Sequence, residues 1–161
     1  SVMLFIGVDP GKSGAIAAID EEGRFVSVVK LKETEQDVWT WMLKELGIGY
    51  GKPSHFAVLE KVGAMPRQGL SSTFKFGVSY GFCRGILTAN RVRFEEVTPA
   101  KWQGALGCRT KGDKNITKSK AQQMHPDQKI THANADALLL AEYARRLFKE
   151  RLIDGSGDRV E

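Results

Sequence analysis

Apolar residues come in short unbroken runs early in the chain and at four-residue spacings later. Residues 4–9 form one run, closed by Asp9 and broken by Pro10-Gly11, which predicts a strand ending in a turn. A second run covers 14–20, Glu21-Glu22-Gly23 offers a hairpin turn, and a third run at 24–31 carries Phe25, Val26, Val28 and Val29. Strands joined by such tight connections must be antiparallel neighbours, because a parallel return needs a long crossover. The period then changes. Across 34–46, Val38, Met42 and Leu46 recur every fourth residue with Trp41 beside them, predicting an amphipathic helix. A Gly-rich loop at 47–53 leads to HFAVLEKV at 55–62, a short buried strand broken by Gly63. Residues 71–89 are apolar but rich in glycine and predict a helix packed closely against its neighbours. Residues 92–97 predict another strand, and Thr98-Pro99 opens a helix with Thr as its cap. Residues 108–120 read as a basic loop. Residues 132–151 form the clearest helix, with Leu138, Leu139, Tyr143, Leu147 and Phe148 on one face. The order β-β-β-α-β-α-β-α-α predicts an α/β fold, a mixed sheet with helices against it. One domain is expected over 1–153, followed by a flexible tail at 154–161.

Composition narrows the partners without naming one. The 161 residues suit a single domain, and an apolar share of 42% is ordinary for a globular protein. Lys and Arg total 24 against 19 Asp and Glu, a net +5 that suits a polyanion but does not require one. Cys83 and Cys108 are the only cysteines and form no C-x-x-C pair, so neither a zinc site nor a disulfide framework is signalled. That usage suits a reducing, cytosol-like compartment. The apolar start is far too short to span a membrane and lacks the features of a signal peptide, so no membrane role is expected.

The candidate chemistry lies in three carboxylates. Asp9 ends an apolar run, where an ordinary turn-forming Asp would also fit. Glu60 closes Phe56-Ala57-Val58-Leu59, and a charge in a buried strand is costly unless it is paired or ligating. Asp136 falls in the first turns of the last helix, where complementing the helix dipole is the plainer explanation. If the three elements are neighbours, their oxygens converge as hard ligands suited to Mg²⁺, which binds through a few carboxylates plus water and phosphate oxygens. Two such ions about 3.5–4 Å apart are a known arrangement for phosphodiester cleavage.

IGVDPGKSGAIAAID at 6–20, VLEKV at 58–62 and HANADALLLAEYA at 132–144 resemble the three acidic motifs of RuvC-like Holliday junction resolvases. The resemblance continues through YGFCRGIL at 80–87. It also takes in TPAKWQGALG at 98–107 and TKSKAQQMHPD at 117–127, which look like the phage and chloroplast branch, and it covers most of 4–148. It implies a ribonuclease-H-like fold, with a five-stranded mixed sheet of three antiparallel plus two parallel strands. It further implies a homodimer, two Mg²⁺ or Mn²⁺ ions per site, and paired nicks across a four-way DNA junction. Asp9, Glu60 and Asp136 match the family's metal-binding carboxylates. The family's fourth ligand lies just upstream of the last Asp, where this chain has Thr-His-Ala-Asn-Ala-Asp and no second acid. His132, four residues before Asp136, is the candidate there and Asn134 the weaker one. Lys118 matches a basic residue near the scissile phosphate, and Lys101 a second such position.

Further candidate DNA contacts are Lys12, Arg67, Lys75, Arg109, Lys111, Lys114 and Lys120, with Arg84 as a possible extension of that surface. Phe74, Phe76 and Met65 are candidate wedges at an unstacked crossover, with core packing as the alternative. The glycine-rich helix is the candidate dimer interface.

Competing readings are weaker. Gly11-Lys12-Ser13 is no phosphate-binding P-loop, since Ile6 stands where the first glycine must be. DPGKSGAIAAID is also similar to the first phosphate-binding hairpin of actin-like and sugar-kinase ATPases. Those proteins clamp a nucleotide between two such domains, so no nucleotide cofactor is expected here. A non-catalytic junction-binding module and another ribonuclease-H-like nuclease remain as alternatives.

Overall fold

The computed structural model describes residues 3–49, 54–63 and 69–154. Strands β1 (Met3–Asp9), β2 (Ala15–Ile19) and β3 (Phe25–Lys30) come first, followed by helix α1 (Glu35–Leu46). Strand β4 (Ser54–Glu60), α2 (Leu70–Ala89) and β5 (Arg93–Val97) follow, and then three helices, α3 (Pro99–Leu106), α4 (Asn115–Met124) and α5 (His132–Ile153). The sheet order is β3-β2-β1-β4-β5. β1, β2 and β3 pair antiparallel, and β4 and β5 run parallel to β1, as expected for a ribonuclease-H-like fold.

Helices cover both faces of the sheet, and this explains the unbroken apolar runs. β1, β2 and β4 are buried on both sides, so both alternating sets of side chains must be apolar. Phe5, Ala17, Ile19, Phe56 and Val58 join Trp102, Leu138 and Ala141 in one cluster. Leu4, Ile6, Val8, Ile16, Ala57 and Leu59 face Val38, Met42, Cys83 and Leu87 in the other. Gly7 allows α5 to lie directly on β1. A Cβ there would fall 2.0 Å from the Ala137 carbonyl oxygen and 2.3 Å from the Ala141 nitrogen.

Helix ends follow local chemistry. Thr34 caps α1 by accepting from the Asp37 N–H, and Gly47 ends it in the left-handed region. Thr98 and Pro99 start α3, and Gly107 ends it in the same way as Gly47 ends α1. Thr131 and Asn134 form a reciprocal capping box on α5.

The edge strand β5 is tied to helices on both faces. Glu95 accepts from Arg151 of α5, and Glu96 accepts from Tyr80 and Arg84 of α2. In mid-α5, Glu142 is buried and ion-paired with Arg145 at 2.9 Å and Arg146 at 2.6 Å.

The expected order lacked one element. Residues 108–120, read as a loop, contain the start of α4. Its sequence NITKSKAQQM buries only Thr117 and Ala121, a stripe too narrow and too polar to show as helical periodicity. Of the expected tail, Asp154 is the cap of α5 and 155–161 lie outside the described residues. No helix among the described residues is long and apolar enough to cross a membrane.

Candidate active site

Parallel pairing of β1 and β4 sets Val8 beside Leu59, so the next residues, Asp9 and Glu60, finish their strands side by side. The carboxyl ends of parallel strands are where open α/β sheets place their ligands. The third acid arrives through the Gly7 contact, because Asp136 precedes the Ala137 whose carbonyl rests on that glycine. The turn after Asp9 is equally constrained. A Cβ on Gly14 would lie 1.9 Å from the Asp9 carbonyl oxygen.

Asp9, Glu60 and Asp136 line one cleft of about 1190 Å³, together with Lys12, Lys114, Thr117 and His132. Their electrostatics reflect crowding. Burial pushes Asp9 well above the usual carboxylate range, and the charges of Glu60 and Asp136 push it further, with Lys114 pulling the other way. Burial also raises Glu60, aided by the charge of Asp136 and opposed by a hydrogen bond from Trp102. Asp136 is raised by burial against the Thr117 hydroxyl and the charges of Lys114 and His132. Asp9 and Glu60 lie close enough to interact directly, which raises Asp9 further.

As the side chains stand, no three His, Cys, Asp or Glu residues among those described form a ready-made metal shell. The donor set nevertheless fits a hard divalent cation. Three oxygen acids crowd one cleft, and their mutual repulsion is what such an ion relieves.

The remaining predicted residues divide. His132 is the first residue of α5, exposed and one turn before Asp136, and it lines the cleft. The Asn134 amide is committed to the capping box and to the Lys129 carbonyl. Of the basic residues in 108–120, Lys114 lines the cleft, while Lys118 lies one turn further along α4 and half-buried outside the lining. Lys12 and Lys75 line it, as do Phe74 and Phe76. Lys101, Arg109 and Lys111 are exposed and Lys120 is half-buried, none of them in the lining. Arg84 is paired with Glu96. Met65 and Arg67 lie outside the described residues.

Several residues of the site had no assigned role from sequence. Trp102 donates its indole N–H to Glu60 Oε2 at 2.7 Å. Thr117 lies beside Asp136 and lowers its pKa, and Lys30 and Lys32 line the cleft. The available signal for Trp102 was general, since a buried indole N–H needs an acceptor. Lys30 reaches the site only through its pairing with Ala15 across β2 and β3.

Solved structures share this architecture. Thermus thermophilus RuvC matches with a TM-score of 0.61 and 18% identity, covering 93% of this chain and 96% of that one. T. thermophilus RuvC in complex with Holliday junction substrate matches with a TM-score of 0.63 and 20% identity, over the same shares. The fold is RuvC-like. No family model matches the sequence, and no curated protein does. In this RuvC-like frame Asp9 and Glu60 end the central parallel pair, and Asp136 joins them in the cleft from the first turns of the last helix.

Proposed function

We propose that the protein is a structure-selective endonuclease that resolves four-way DNA junctions by paired, symmetric nicks. The observation that carries this reading is the meeting of Asp9, Glu60 and Asp136 in one cleft. The RuvC-like fold supports it, since one similar structure is of RuvC with a Holliday junction substrate. Asp9, Glu60, Asp136 and His132 would hold the divalent ions, two Mg²⁺ or Mn²⁺ per site. Such ions acidify water and offset charge on the leaving oxygen of a phosphodiester.

The chain's own groups do the rest. Lys114 brings an ammonium to the cleft beside Asp9 and Asp136, placed to offset charge gathering on the phosphate. Lys118, the family match for that role, follows one turn later on the same helix. Lys12, Lys30, Lys32 and Lys75 surround the cleft with positive charge suited to DNA backbone. Water oxygen bonds to phosphorus as the bond to the 3′ oxygen breaks, leaving 5′-phosphate and 3′-hydroxyl ends. Phe74, 74% exposed on the cleft wall, is the stronger of the wedge candidates.

Symmetric cutting calls for two sites related by a two-fold axis, hence a homodimer. The outer stripe of α2 suits that contact. Leu70 and Val78 are exposed with Phe74, and beside them Gly77, Gly81 and Gly85 open onto free space.

The test is a labelled synthetic junction incubated with and without Mg²⁺, with the nicks mapped. Asp9→Asn is expected to abolish cleavage and preserve binding; surviving cleavage refutes the assignment. Wild type that binds junctions and never nicks them favours the non-catalytic module, which the capping role of Asn134 and the missing second acid would suit. Preference for RNA–DNA hybrid or linear duplex over junction points instead to another ribonuclease-H-like nuclease.

A further inference from the structure

Backbone pairing fixes where Glu60 sits, with its partner Val97 on β5, but not where its carboxylate points. A glutamate head hangs on three rotatable bonds, so some other group has to hold it. Among the described residues the indole of Trp102 does this from α3. Its N–H is a donor with no acceptor capacity, and it is spent on Glu60 Oε2 at 2.7 Å, the short range of a charge-assisted bond.

Trp102 is fully buried and belongs to the cluster of Phe56, Val58, Leu106 and Ala135, so it has no room to swing away. Its helix is pinned at both ends, by Thr98 with Pro99 and by Gly107. Trp41 offers a contrast. Its N–H goes to the Ser27 hydroxyl at 2.9 Å, a purely structural bond.

We propose that Trp102 is a positioning residue: its indole N–H fixes the Glu60 carboxylate in the orientation that holds a divalent cation, and so sets cation affinity without touching DNA. This rests on the nuclease reading above. One oxygen of Glu60 is held from behind by the core, and the carboxylate keeps its remaining capacity for the cleft and Asp9. Groups that orient ligands in this way typically change metal affinity about 10–100-fold when removed.

The test is Mn²⁺ binding to DNA-free protein, read from the electron paramagnetic resonance of free Mn²⁺, for the parent and for Trp102→Phe. Phenylalanine keeps most of the apolar bulk and removes the donor. Mn²⁺ affinity is expected to fall about tenfold or more, with junction binding in EDTA unchanged and cleavage recovering as Mg²⁺ is raised. Equal Mn²⁺ affinity in a folded Trp102→Phe protein overturns the assignment of the indole and leaves the nuclease reading standing. Parent protein that takes up no Mn²⁺ overturns that reading, and this proposal with it. Should Trp102→Phe fail to fold, the Trp102 indole ¹H–¹⁵N signal of the parent decides. It is expected to shift on Mg²⁺ addition and in Glu60→Gln, and a signal unmoved by both overturns the proposal.

Discussion

The two long helices, α2 and α5, lie on opposite faces of the sheet and are nearly equal in length, yet they are built for different purposes. From Ala135 to Ala144 almost every residue of α5 is buried, and its backbone rests on Gly7 of the central strand. α2 buries only Cys83, Ile86 and Leu87, all near its C-terminal end, and its N-terminal half shows Leu70, Phe74 and Val78 to solvent. In the function proposed above α5 carries a metal ligand, and such a helix must be held rigidly, because a ligand misplaced by an ångström is costly. A helix that meets DNA or a second subunit must keep an uncovered face. The difference the structure shows is one of burial: α5 is seated in the core, and α2 offers surface.

The largest effect is expected where α5 meets the sheet. Gly7→Ala puts a methyl into the Ala137 carbonyl, a backbone clash that no rotamer relieves. Overpacking of this kind costs about 1–3 kcal/mol or more. Urea melts should show that loss, and cleavage should fall further than stability does because Asp136 moves with the helix. A Gly7→Ala protein with unchanged stability would mean that the contact is not what seats α5.

An intermediate effect is expected in mid-α5. Burial works against the Glu142 carboxylate, but hydrogen bonds and charge from Arg145 and Arg146 outweigh it and hold it below its usual range. A folded-state value lowered in this way means that the unfolded chain takes up the proton first. The contribution is therefore complete above the ordinary glutamate value of 4.5 and is lost as pH falls through the lower folded value. Glu142→Gln should cost about 1–3 kcal/mol at neutral pH. Its thermal stability should also fall less steeply than that of the parent on acidification below that value. Parallel pH profiles would remove Glu142 from the account.

The smallest effect, of opposite sign, is expected on α2. A Cβ on Gly81 meets nothing, so Gly81→Ala should stabilise the isolated subunit by about 0.5–1 kcal/mol through backbone entropy. If a second copy packs closely on this stripe, sedimentation should show weaker self-association at the same time. Stabilisation with unchanged association would place the contact elsewhere.

Much of this was legible in the sequence, wherever the signal is local. Continuous apolar runs marked the strands because those strands are covered on both faces. Thr34, Thr98, Gly47 and Gly107 sit at helix ends because capping is a matter of a few neighbouring residues. Asp9 and Glu60 stood out as charges closing apolar runs. What escaped depends on distance along the chain. The bond from Trp102 to Glu60 spans 42 residues and exists only once α3 has docked. α4 hid because docking requires only Thr117 and Ala121 of it. Lys30 and Lys32 join the cleft through strand pairing, whereas the conspicuous basic run at 108–120 contributes Lys114 to its lining.

The clamping of β5 has a consequence for how the molecule behaves in a crowd. An open sheet ends in unpaired backbone donors and acceptors that invite another chain to add a strand. Here the outer strand is braced from above and below by Arg151, Tyr80 and Arg84, and its projecting residues are charged. Growth of the sheet into fibrils is disfavoured at that margin.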